Sequence, residues 1–260
     1  NEGGWFDMDK VRFRFGYPEK IGGWIKSTVS TFLGTCRALH PWVALDGTNY
    51  LGAGTNLKYY INEGGAYHDI TPIRLISGAG DATFATGADT IDGAIDAVAT
   101  SILLDSVTGF PVSGRIKIDN EEMTYAAISS NNLTGVTRGV NGTAAAAHAD
   151  GAAITCATIT VTEVDHEALV SDFVTFTDAA TLGGTITAAV LNQEYEITAI
   201  VSDDIFQIDA RTVSTIGSIT TTDGLNPTFV YSNASDSGNG GGATVATYQI
   251  NTGLDTTIAG

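Results

Sequence analysis

The stretch Thr158-Ile159-Thr160-Val161-Thr162 sets apolar and β-branched polar residues in alternation. Asp172-Phe173-Val174-Thr175-Phe176, Glu194-Tyr195-Glu196-Ile197-Thr198 and Ile205-Phe206-Gln207-Ile208-Asp209 follow it, with Gly183-Gly184 and Asp203-Asp204 between. A period of two puts successive side chains on opposite faces of a strand, and Gly and Asp supply the turns that separate short strands. Four or five such runs at this spacing predict a small barrel or sandwich over residues 157–212.

The same pattern runs outward in both directions. Gly114-Arg115-Ile116-Lys117-Ile118 turns at Asp119-Asn120 and returns through Glu121-Glu122-Met123-Thr124-Tyr125. Asn131-Asn132 turns again before Leu133, which makes 98–156 a second small β module. Its Ala144–Ala149 run, between Gly142 and Gly151, reads as a loop. Nearer the N-terminus, Val11-Arg12-Phe13-Arg14-Phe15 alternates apolar and basic residues. Trp42–Leu45 and Asn49–Leu51 flank Asp46-Gly47, and Leu57–Ile61 and Ala66–Ile70 flank Asn62-Glu63-Gly64-Gly65. Both pairs read as hairpins, because Asp-Gly and Gly-Gly supply the positive φ that tight turns need. Their succession makes a meander, the unit of a propeller blade or a sandwich, and one such unit needs neighbours to bury its faces. Thr244–Ile250 resumes the alternation after the Gly- and Ser-rich stretch 235–242, so 213–260 is expected to return toward the first unit.

Charge divides the chain. Residues 1–77 carry eight Lys and Arg against seven Asp and Glu, whereas 78–260 carry four against twenty-two, within a total of −17. Twelve of the twenty-two aromatic residues, including Trp5, Trp24 and Trp42, lie in the first 77. Two compositions in one chain mark at least two structural units, and the small, acidic stretch 78–97 reads as a linker. The acidic balance disfavours tight nonspecific binding to nucleic acid, which needs Lys and Arg to neutralise phosphates. No run of 18 apolar residues is present, so no membrane-spanning helix is expected.

Catalytic and metal-binding signals are absent from the sequence. His40, His68, His148 and His166 are scattered with no ligand spacing, and Cys36 and Cys156 are too few and too far apart to form a disulfide framework. Asp7-Met8-Asp9 lacks the glycine and distal Glu of a calcium loop. Glu121 and Glu122 are neighbours on a strand, so they point to opposite faces and cannot share a substrate; both are expected on a solvated strand. No phosphate loop or nucleophile elbow occurs. These absences predict no catalytic residue, no cofactor and no metal: a chain that is not an enzyme.

The stretch Trp5-Phe6-Asp7-Met8-Asp9-Lys10-Val11-Arg12-Phe13-Arg14-Phe15-Gly16-Tyr17-Pro18-Glu19-Lys20-Ile21-Gly22-Gly23-Trp24 resembles the N-terminal signature of the tail nozzle (tail tubular) proteins of short-tailed bacteriophages. Gly34–Leu39, Tyr59-Tyr60-Ile61 and Asp69-Ile70-Thr71-Pro72-Ile73 are similar to the same group. The stretches Gly114–Gly151, with Thr137-Arg138-Gly139-Val140, and Asp172–Asp209, with Leu191–Tyr195, resemble β modules of phage tail proteins. The resemblance implies a virion protein: a homohexameric ring in the tail, beneath an adaptor ring and beside other tail proteins. It implies a propeller-like platform bearing inserted β modules, with viral DNA passing transiently through a central channel. Nozzle proteins are usually much longer than this chain. An acidic channel wall suits that role, since it repels phosphate instead of trapping it. Two other classes are compatible with the residues: a tail or surface adhesin that binds glycans through clustered Trp and Tyr, and a polysaccharide depolymerase, which needs convergent carboxylates.

Overall fold

The computed structural model describes residues 11–20, 32–77, 82–213, 229–231, 239–240 and 245–253. Every strand pair among them is antiparallel. The only α-helix among the described residues is one turn, Ala188–Leu191, with Thr187 as its N-cap. A chain rich in β-branched residues, Gly and Asp and poor in helix formers gives that outcome.

The N-terminal part forms two separate sheets. Val11–Arg14 and Tyr17–Lys20 make a two-stranded hairpin, here called the arm, reversing at Phe15 and Gly16, both at positive φ. Cys36–Val43, Asn49–Thr55, Tyr59–Glu63 and Ala66–Asp69 follow one another across a four-stranded meander. The first turn closes at Gly47 and the third at Gly64 and Gly65, all at positive φ, as their sequence predicts.

Beyond the meander lie two cores. The larger sits between a four-stranded and a five-stranded sheet. The four-stranded sheet runs Glu194–Glu196, Phe173–Thr177, Val245–Gln249, Ile73–Ile76. The five-stranded one runs Ala199–Ser202, Ile205–Asp209, Thr158–Thr162, Thr83–Ala85, Asn239–Gly240. Their inward residues, among them Phe84, Val161, Phe176, Tyr195, Phe206 and Tyr248, form one buried cluster. Phe84 meets Phe176 edge-on at 4.9 Å between ring centroids, a favoured aromatic geometry. The smaller core, with Ile102, Ile116, Ile118, Met123, Leu133 and Ile154, lies between two further sheets. One runs Glu121–Tyr125, Gly114–Ile118, Ala153–Cys156, Ala88–Thr90; the other runs Ser101–Leu103, Asn132–Thr134, Ala127–Ser129.

The pairing revises the expected boundaries. The stretch 78–97, read as a linker, carries two strands, Thr83–Ala85 and Ala88–Thr90. The first pairs with Thr160–Thr162 and the second with Ala153–Thr155, so entry to and exit from the smaller unit run side by side as one ribbon. The smaller unit is thus an insertion whose two ends are hydrogen-bonded to each other. It begins near residue 88 and not 98. Residues 157–212 do not form a self-contained module, because Ile73–Ile76, Thr83–Ala85 and Val245–Gln249 complete their sheets. A strand of three to five residues buries too little by itself, and its register is fixed only by partners from elsewhere in the chain. The return segment pairs with Ile73–Ile76 on one side and Phe173–Thr177 on the other, so it closes the sandwich.

Candidate functional site

The meander presents an aromatic face. Cross-strand register puts Ala38 opposite Gly54, His40 opposite Gly52 and Trp42 opposite Tyr50; Gly52 faces Ile61 and Gly54 faces Tyr59 in turn. Trp42 stacks on Tyr50 at 5.4 Å and on His40 at 5.9 Å. Gly52 allows this: a Cβ there would stand 3.2 Å from the indole ring. Small residues on the central strand and large ones beside it leave an apolar groove of about 310 Å³, lined by Ala38, His40, Trp42, Tyr59, Ile61 and Ile70. On the opposite face Phe32 packs edge-on against Tyr67 at 5.1 Å and is tilted against Tyr60 at 5.7 Å. Burial pushes the Tyr60 hydroxyl up to about 12, although Leu33 N–H donates to it.

The rest of the first segment also leaves large apolar side chains in solvent. Phe15 is 90% exposed, Tyr17 75%, Val43 63% and Leu39 59%. Large apolar side chains left in solvent in this number mark surface on which something can dock.

Lys58 ties the meander to the sandwich. Its side chain is 1% exposed and its Nζ donates to Asp69 Oδ2 at 2.7 Å, to Gln249 Oε1 at 2.6 Å and to Glu194. Nζ also lies 4.7 Å from the Phe173 ring centroid, a cation–π distance. One cation thereby joins the meander, the sandwich and the return segment. Burial alone raises the Asp69 carboxyl, but hydrogen bonds from Lys58 and Thr71 outweigh it and hold that group below its ordinary value.

The structure scatters the histidines and brings one carboxylate into an unforeseen role. His40 is exposed on the aromatic face and His68 is exposed on the last meander strand. His166 is buried; Nε2 faces Ser202 O at 3.1 Å while Nδ1 accepts from Ala168 N–H at 3.1 Å. His148 is buried between carboxylates, with Nδ1 2.9 Å from Asp119 and Nε2 2.9 Å from Glu121. Glu121 and Glu122 do take opposite faces, but Glu121 is not solvated: it is 1% exposed. Arg138 donates to both of its oxygens at 2.8 Å, and Gly139 and Ala146 N–H add 3.0 and 2.9 Å bonds. Burial raises this carboxyl, yet those bonds outweigh the cost and lower it to about 2. The network pins the Ala144–Ala149 loop onto the hairpin, a structural task. A hint lies in Arg138-Gly139, whose glycine sits at φ +60 with no room for a Cβ beside Ala145.

Both cysteines are free thiols: Cys36 is exposed, and burial pushes Cys156 up to about 12. Among the described residues, no group of three or more His, Cys, Asp or Glu side chains is arranged to hold a metal, and no helix is long and apolar enough to cross a membrane. Trp5, Trp24 and the Asp7–Asp9 pair lie outside the described residues. Comparison with family models, curated proteins and solved structures finds no match for this chain.

Proposed function

We propose that the chain is a non-enzymatic structural protein of a short bacteriophage tail, assembling as a homohexameric ring around the channel through which DNA is ejected. The supporting observation is the apolar, aromatic and charge-balanced first segment, exposed on the arm and on the meander while the acidic remainder has cores of its own. In this reading the four-stranded meander is a blade-like part of a propeller-like platform, and the 88–156 insertion is one of the modules it bears. The acidic units then face solvent or line the channel, where carboxylates repel phosphate and leave DNA free to slide. Similarity of residues 5–24 to nozzle proteins supports the same reading. Native mass measurement and electron microscopy of the purified chain test it: a closed sixfold ring with a through-channel is expected, and a monomer in the presence of its tail neighbours would refute it.

A second reading has one specific observation behind it. The His40–Trp42–Tyr50 stack beside Tyr59 is a surface on which sugar rings stack, as in a glycan-binding adhesin. Titration with host-envelope polysaccharide separates the two, since only the adhesin shows quenching of Trp42 fluorescence.

A further inference from the structure

Apart from the meander groove, the described residues enclose a cavity of about 600 Å³ on the five-stranded-sheet side of the sandwich. Its apolar floor is Leu169, Val170 and Ile200, which are 58%, 55% and 36% exposed. Its rim is acidic: Asp165, Glu167 and Asp203, all exposed and with no Lys or Arg among the lining residues. The loop that shapes it is held rigidly in a conformation that costs energy. Asp165, Glu167 and Ser171 all sit at positive φ without being glycine. The buried His166 ring bridges Ser202 O and Ala168 N–H, and Asp204 accepts from Asp165 N–H at 3.0 Å. A preformed apolar hollow with a three-carboxylate rim fits a partner that is cationic at its edge and aromatic at its centre.

The arm has that chemistry. Register places Val11, Phe13, Pro18 and Lys20 on one face and Arg12, Arg14, Tyr17 and Glu19 on the other, so the second face sets Tyr17 beside two arginines. Tyr17 is 75% exposed, and Arg12, paired with Glu19 at 3.2 Å, keeps 60% of its side chain in solvent, so the arm of a chain is not seated in its own cavity. An isolated two-stranded hairpin is marginal in water and gains stability by packing against another surface. We infer that the arm of one copy docks into the 165–203 cavity of the next, with Tyr17 on the Leu169–Val170–Ile200 floor and Arg12 and Arg14, on the same face, against the acidic rim. The contact joins different surfaces of two copies, so it is heterologous and propagates until a ring closes. It rests on the ring reading and specifies which surfaces make the ring.

The test uses full-length chains in a Cys36→Ala background. One carries Tyr17→Cys and the other Leu169→Cys; they are mixed under mild oxidation. A disulfide between the two unlike chains is expected. In parallel, Arg12→Glu with Arg14→Glu should weaken self-association about tenfold or more, and adding Asp165→Lys with Asp203→Lys should restore most of it. If wild-type chains assemble but the mixed disulfide is missing and the arm reversal changes nothing, this contact is wrong while the ring stands. If wild-type chains stay monomeric even with their tail neighbours present and no mixed disulfide forms, both fall. A disulfide formed only when both cysteines are on one chain would place the arm in its own cavity and overturn the inference.

Discussion

Glu121 accepts five hydrogen bonds from four residues while 1% exposed, and its partners come from two stretches of chain, 138–139 and 146–148. Breaking such an enclosed pair leaves a charge without compensation, which costs about 3–5 kcal/mol. Arg138→Met should therefore destabilise the insertion by roughly that amount. The carboxyl is lowered in the folded chain, so its contribution is complete above its ordinary value of 4.5 and is lost as pH falls toward about 2. In Arg138→Met the folded carboxyl lies nearer its ordinary value, so that loss should be smaller and should end at higher pH. Urea titrations of both chains from neutral pH downward check the direction; identical acid profiles would mean that Arg138 does not set the Glu121 carboxyl. Gly87 offers a second single-residue test. A Cβ there would stand 2.3 Å from the Phe110 ring, at the ribbon where the insertion leaves the sandwich. Gly87→Ala should cost about 1–3 kcal/mol as Phe110 is displaced. Thermal unfolding should show this, with the loss greatest in the insertion.

Between elements, two devices hold the units together. The ribbon of 83–90 against 153–162 carries the insertion on paired backbone, and Arg115 Nε adds a 2.9 Å bond to Asp209 Oδ2 across the junction. Lys58 does the same for the meander with a side chain. Lys58→Met keeps the apolar stem but leaves Asp69 and Glu194 facing one another. Both carboxylates are about one-third exposed, so water relieves part of the repulsion. A loss of about 2–3 kcal/mol is expected, below that of a fully enclosed pair. Hydrogen exchange should speed up in residues 49–69 ahead of the sandwich strands. Uniform acceleration across both would mean that meander and sandwich unfold as one unit, with Lys58 no special tie.

At the scale of the whole molecule, charge and apolar exposure are segregated. The two cores lie in the part of the chain that carries the excess of twenty-two acidic over four basic residues, and those units repel their counterparts in neighbouring copies. The first segment has no such excess and exposes the aromatic groove. Trp42 is only half-buried, so Trp42→Ala should leave the thermal midpoint nearly unchanged while weakening assembly by about 2 kcal/mol, the scale of an interface hot spot. Sedimentation of mutant and wild type at matched concentration measures it; an unchanged distribution of species would leave the arm and the 165–203 cavity as the ring contact and the aromatic face outside it.

The amino-acid sequence alone determined the strand-dominated class and the local hairpins, because alternation and turn residues act over a few positions. Asp46-Gly47, Gly64-Gly65 and Asp119-Asn120 all reverse the chain where they are read to do so. It also determined that the composition changes near Ser77. Only the tertiary structure decided which strands finish which sheet. Thr83–Ala85 has the composition of a linker, yet it pairs with Thr160–Thr162, some 75 positions away. Val245–Gln249 likewise finds Phe173–Thr177 across the intervening chain. Alternation tells which side of a strand faces inward and says nothing of its neighbour, since that choice is made by burial between distant segments. Glu121 was hidden for the same reason: a glutamate on a strand is ordinarily solvated, and the Arg138, Ala146 and His148 that enclose it converge only when the loop folds back over the hairpin.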